Sequence, residues 1–120
     1  MGTLIETNRE KWNEGNIQDY DYIYNRTLGT TLQVDVEVFV RQGAVDSVAV
    51  EGEPVSDTAG YLTIDDAFVR LTAAFERDTG GTFVVTFNNE YGYPREFVAG
   101  PSDDGSPGED FFIQEFEPRN

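Results

Sequence analysis

From Asp19 the chain runs with a period of two: Tyr20, Tyr22 and Tyr24 share one face, and Asp19, Asp21 and Ile23 share the other. That alternation predicts a strand with one buried and one wet side. It returns after Gly29, where Leu32, Val34, Val36, Val38 and Val40 alternate with Gln33, Asp35, Glu37, Phe39 and Arg41. Gln42-Gly43 then makes a tight turn, and Ala44 to Val50 comes back as a third strand carrying Val45, Val48 and Val50.

Two segments carry a helical pattern instead. Thr3 with Glu6 three residues on resembles a capping box, and Leu4, Ile5, Asn8 and Trp12 fall near one stripe of a short helix ending at Gly15. Trp12 is the expected anchor of that helix on the sheet. Thr63 is placed to cap a second helix, with Asp65 and Asp66 where the positive helix end favours acids. Ile64, Ala67, Phe68, Leu71, Ala74 and Phe75 follow the three-and-four spacing of an apolar stripe until Asp78-Thr79-Gly80-Gly81 stops the helix.

Polar residues from Glu51 to Gly60 read as the connection between the first meander and this helix. Beyond it, Phe83, Val85 and Phe87 alternate in a fourth strand, Asn88 to Gly92 turns it, and Arg95 to Ala99 returns as a fifth. A last strand spans Asp110 to Phe116, where Phe111, Phe112, Ile113 and Phe116 break alternation, so a bulge or a partly covered edge is expected.

The sum is one α+β domain over residues 1–120: a six-stranded antiparallel sheet with two helices packed on one face, in the order α-β-β-β-α-β-β-β. The order hints at a duplicated helix-meander unit, although no repeat is visible residue by residue. Leu32, Val34, Val36, Val38 and Val40 are expected beneath the second helix, with their acidic neighbours in water.

Composition narrows the chemistry. Neither cysteine nor histidine occurs, which removes disulfides, thiolate catalysis, the commonest metal ligands and every Ser-His or Cys-His nucleophile. The 23 acids against eight bases, with Lys11 the sole lysine, give a formal charge of −15. Such a surface repels nucleic acid and anionic membranes and favours a cation or a basic protein surface. It fits either a chain that folds in concentrated salt or a generic acidic surface. No apolar run reaches the length of a membrane span, so no membrane insertion is expected, and the start Met1 to Glu6 does not read as a signal peptide.

Candidate sites each carry a plainer reading. Asp103, Asp104, Glu109 and Asp110 cluster among turn formers, the kind of oxygen-rich loop that ligates calcium, yet the spacing departs from an EF-hand and a solvated loop also explains it. Tyr91 and Tyr93 flank Gly92 and could present two rings to a partner or simply rim the core. The Tyr20, Tyr22 and Tyr24 stripe reads as a ligand pocket or as core. Asp65 with Asp66 is the tightest carboxylate pair for acid/base chemistry, but helix-start roles account for both. On the wet face Asp21, Asp35 and Glu37 surround Ile23 and Phe39, and a solvated face does not explain Phe39. That face is the preferred interaction surface.

The same landmarks resemble the DUF6174 family of uncharacterised bacterial proteins: Trp12 followed by Asp19-Tyr20-Asp21-Tyr22-Ile23-Tyr24; Val36, Val38, Gly43, Val45 and Val48; Thr63 through Phe68; Tyr91-Gly92-Tyr93-Pro94; and Asp110 through Phe116. Two departures stand out. Asn88 occupies a position where members carry Asp, and Arg26 to Thr30 lacks the cysteines many members have there. Relatives often look secreted or lipid-anchored, so the resemblance implies an extracytoplasmic setting. It supplies no catalytic residues.

These readings point to a non-enzymatic binding or interaction domain for a protein or small ligand. The alternatives are a calcium-stabilised envelope domain and a small carboxylate-based hydrolase. Calcium is the one candidate cofactor, and no catalytic residue is assigned.

Overall fold

A computed structural model describes residues 2–58, 60–76, 83–101 and 108–119. Its elements are α1 (Gly2–Gly15), β1 (Tyr20–Leu28), β2 (Thr31–Arg41), β3 (Ala44–Val50), β4 (Glu53–Pro54), α2 (Ile64–Glu76), β5 (Phe83–Phe87), β6 (Pro94–Ala99) and β7 (Glu109–Pro118). One antiparallel sheet holds all seven strands in the order β4-β3-β2-β1-β7-β6-β5. The expected α+β class holds, with two corrections. Glu53–Pro54, within the segment read as a connection, adds a seventh strand. The two meanders are joined through β1 and β7, so the strand order across the sheet departs from the order along the chain.

Among the described residues, register shifts interrupt four of the strand pairings, and those in β2, β3 and β7 explain where simple alternation fails there. In β2, Tyr24 pairs with Val36 but Arg26 with Gln33, which leaves Val34 and Asp35 together opposite Asn25. Asp35 takes a left-handed φ of 52° there, and its N–H donates to Asn25 Oδ1 at 2.8 Å. One inserted residue flips every later side chain to the other face. Val36, Val38 and Val40 are therefore fully buried, as expected, whereas Leu32 is 66% exposed, contrary to the expected run of valines and leucine beneath the helix. Gln33 takes the inward place, accepting the Tyr24 hydroxyl at 2.8 Å.

In β3 the register skips Asp46, which puts Val45 and Val48 on one face despite their spacing of three. In β7 it skips Gln114, which does the same for Ile113 and Phe116. The last strand thus contains the expected bulge, and it lies inside the sheet between β1 and β6 rather than at an edge.

Both helices lie on the face that carries the tyrosines. Thr63 closes a reciprocal box at the start of α2: Asp66 N–H donates to Thr63 Oγ1 and Thr63 N–H to Asp66 Oδ2, each at 3.0 Å. Its stripe of Ile64, Ala67, Phe68, Leu71 and Ala74 is completely buried, while Phe75 at the stripe's end is 39% exposed and leans on the Phe83 ring, 5.6 Å away. Along α1, Ile5 and Trp12 face inward; Trp12 meets Tyr20 edge-on at 5.4 Å, and its indole N–H donates to Asp65 Oδ1 at 3.1 Å. The helix begins at Gly2, one residue before the Thr3 expected to cap it.

The tyrosine stripe is core, and its hydroxyls hold the start of α2. Tyr22 donates to the carbonyl of Leu62, and Ile64 N–H donates to the Tyr20 hydroxyl at 2.8 Å. Beside α1, the turn after β5 approaches so closely that a Cβ on Gly92 (φ 86°) would sit 2.5 Å from the Asn8 carbonyl oxygen. Gly92→Ala combines that overlap with a left-handed backbone, so thermal melting should show a loss of about 2 kcal/mol. A melting temperature equal to wild type would mean that this turn is not seated on α1.

Candidate functional site

The second face of the sheet carries no helix among the described residues. Here Asp21, Ile23, Glu37 and Phe39 stand side by side, as the alternation along β1 and β2 requires. Ile23 pairs with Glu37 on one side and with Glu115 of β7 on the other, so a half-buried aliphatic side chain lies between two carboxylates. The trough over it, about 360 Å³ in volume, is walled by Asp21, Glu37, Glu115 and Glu117. A second trough continues from Ile23 and Glu37 towards Asp35, Glu51 and Gln114. Gln114 Nε2 donates to Asp35 Oδ1 at 3.0 Å across the bulges of β7 and β2.

Asp21 has a different standing from its neighbours. It is only 7% exposed, with Arg41 Nη1 on Oδ1 and Arg119 Nη2 on Oδ2, each at 2.9 Å. The hydrogen bond to Asp21, helped by the charge of Glu117, pushes the Arg119 guanidinium above its ordinary pKa. Arg119 Nη1 also lies 3.2 Å from Glu117 Oε1, so two cations and two carboxylates balance at this corner, and the net negative charge of the face rests on Glu37, Glu115 and Asp35.

Tyr91 and Tyr93 lie on the helical side, away from this surface. Tyr93 is buried, its ring 4.6 Å from Phe116, and Tyr91 stacks beside it at 5.2 Å from the same ring. Burial lifts the pKa of both phenols. Asn88 Oδ1 accepts the N–H groups of Glu90 and Tyr91 at 2.9 and 2.7 Å. An aspartate oxygen at this position would accept the same two bonds.

Of the acids read as calcium ligands, Asp103 and Asp104 lie outside the described residues. Glu109 and Asp110 point to opposite faces of β7: Asp110 is exposed, whereas Glu109 is 3% exposed on the helical side. Arg26 Nε donates to Glu109 Oε2 at 2.8 Å, and Arg70 of α2 reaches both of its oxygens at 2.9 Å. Among the described residues no group of three acids is placed to hold a metal ion. Asp65 and Asp66 are engaged by the Trp12 indole and the Thr63 box respectively.

The sequence reading missed Glu115, Glu117 and Arg119 as members of the open face. No local pattern brings residues 115–119 beside residues 21–23; only the pairing of β1 with β7 does so. Arg26 did leave a signal, because it continues the inward phase of Tyr20, Tyr22 and Tyr24 and so needed a buried partner.

No curated protein and no solved structure matches the chain. A family model matches residues 4–104, which takes in every element up to β6 and stops short of β7 and of the Asp110–Phe116 landmark. The chain therefore belongs to DUF6174, a family of unknown function.

Proposed function

We propose that this chain is a non-enzymatic interaction domain that binds a protein partner through the open sheet face, with Ile23 and Phe39 as apolar contacts and Glu37, Glu115 and Glu117 as the charged wall. The observation that carries the reading is the Glu37–Ile23–Glu115 row. Half-buried apolar side chains flanked by the carboxylates of Glu37 and Glu115 suit a partner that offers an aliphatic or aromatic knob flanked by lysine or arginine. The grooves over this face are shallow, and the buried carboxylates Asp21 and Glu109 are both paired with arginines, so the face suits contact better than catalysis.

The test pairs Glu37→Lys with Phe39→Ser. Both side chains lie on the open face, so melting should change by less than about 1 kcal/mol. Capture of native partners, and binding of lysine-rich peptides followed by fluorescence anisotropy, should drop at least about tenfold. Binding should also weaken as salt is raised. A double variant that keeps every partner at wild-type affinity rules this face out.

A further inference from the structure

The two edges of the sheet are built differently. At one end β4 has two residues, Glu53 and Pro54, both exposed. A charge, a residue with no N–H and minimal length are the devices that keep a sheet edge from recruiting another strand. At the other end β5 reads Phe83-Val84-Val85-Thr86-Phe87, with neither a charge nor a proline in a chain that carries 23 acids. It bonds to β6 on one side, and among the described residues no strand lies on its other side. Val84 is 50% exposed on the open face, and on the helical face Phe83 and Phe87 are only partly covered beside the exposed Phe75.

We propose that the β5 edge is the interface for a second copy of this chain, the two β5 strands pairing antiparallel about a two-fold axis perpendicular to the sheet. The segment is self-complementary in that arrangement. Val85 meets its own counterpart, Val84 meets Thr86, and Phe83 meets Phe87 on the helical side. An isologous contact of this kind closes on itself as a dimer. It satisfies the outward backbone groups of β5 and covers the part-exposed Phe83 and Phe87 rings, while both helical layers stay on one side of a continuous sheet. The absence of acids is what admits a second copy, because two bodies of charge −15 approach only where the contact itself is uncharged. The interface is small, so the dimer is weak and salt promotes it by screening. That is opposite to the salt response of the proposed acidic face, so the two readings fail separately.

Sedimentation equilibrium tests the proposal, with the chain between about 10 µM and 1 mM in low and in molar salt. The wild-type mass should rise towards two copies with concentration, and the rise should shift to at least about tenfold lower concentration in high salt. In the Val84→Lys/Thr86→Lys variant both altered positions are exposed on the open face, so the melting temperature holds. Lysines then face each other across the two-fold, and the mass should stay at one copy. A wild type that remains monomeric throughout, or a dimer that the variant preserves, overturns the proposal. An edge that takes up an added β-strand peptide while the protein alone stays monomeric assigns it to a different partner and also overturns it.

Discussion

Raising the pH above 10 should unfold this protein steeply, with three tyrosines ionising in the same step as the loss of structure. Tyr20, Tyr22 and Tyr24 are no more than 1% exposed. Burial lifts all three phenols well above their ordinary value, that of Tyr24 up to about 12. For an acid whose folded pKa is raised, the folded state holds the proton longer than the unfolded state does. Stability is then undiminished below pH 10 and is lost as the pH climbs from 10 towards the folded values. Each such tyrosine removes about 1.4 kcal/mol per pH unit in that window, so the stripe as a whole removes about 4 kcal/mol per unit. A domain of ordinary stability is exhausted within about two to three units. Tyrosinate absorbance and circular dichroism followed together should show a shared, cooperative transition, and Tyr22→Phe should flatten the slope by about a third. Smooth ionisation of all six tyrosines near pH 10 with the fold intact would show that the hydroxyls are not held as described.

The second large effect lies at the opposite end of the same face. Glu109→Gln keeps the shape of the side chain but leaves Arg26 and Arg70 converging on a neutral group, with the Arg26 side chain only 9% exposed. Removing one partner from a buried charge cluster costs about 3–5 kcal/mol, which for a domain of this size lowers the melting temperature by roughly 10–20 °C. Arg70→Met should cost much less, about 1 kcal/mol, because Arg70 is partly in water and Arg26 still pairs with Glu109. Replacing all three with apolar residues of similar volume should recover most of the loss, since the penalty comes from the orphaned charges and not from the missing attraction. A Glu109→Gln protein that melts within about 2 °C of wild type would mean the two arginines already reach water.

The sequence was most informative where one local rule acts alone. The α2 stripe and its Thr63–Asp66 box follow from spacing and capping chemistry within a few residues, and both stand in the structure. The Tyr20, Tyr22 and Tyr24 phase and the burial of Val36, Val38 and Val40 follow from alternation in the same way. What escaped depends on pairing between distant segments. Leu32 turned outward because the bulge at Val34 and Asp35 is set by how β2 lies against Asn25 in β1. The spacing of Val45 with Val48, and of Ile113 with Phe116, carried the trace of a bulge, though only the last strand was read that way.

The open face shows the same division. Asp21, Ile23, Glu37 and Phe39 were found from alternation, and they do lie together. Their actual charges were hidden, because Arg119 is 98 residues from the carboxylate it neutralises. Glu115 and Glu117 joined the surface through the same long-range pairing, so the acid balance of this face could not be counted from one strand.

The position of β1 governs when the chain can finish folding. Its neighbours are β2, a few residues downstream, and β7, which begins only at Glu109. While the polypeptide is still emerging from the ribosome, one flank of β1 must stay bare until residues 109–118 have been made. The strand at the heart of the sheet is therefore a sticky template during synthesis, and any chain that stops after residue 104 keeps that exposure permanently.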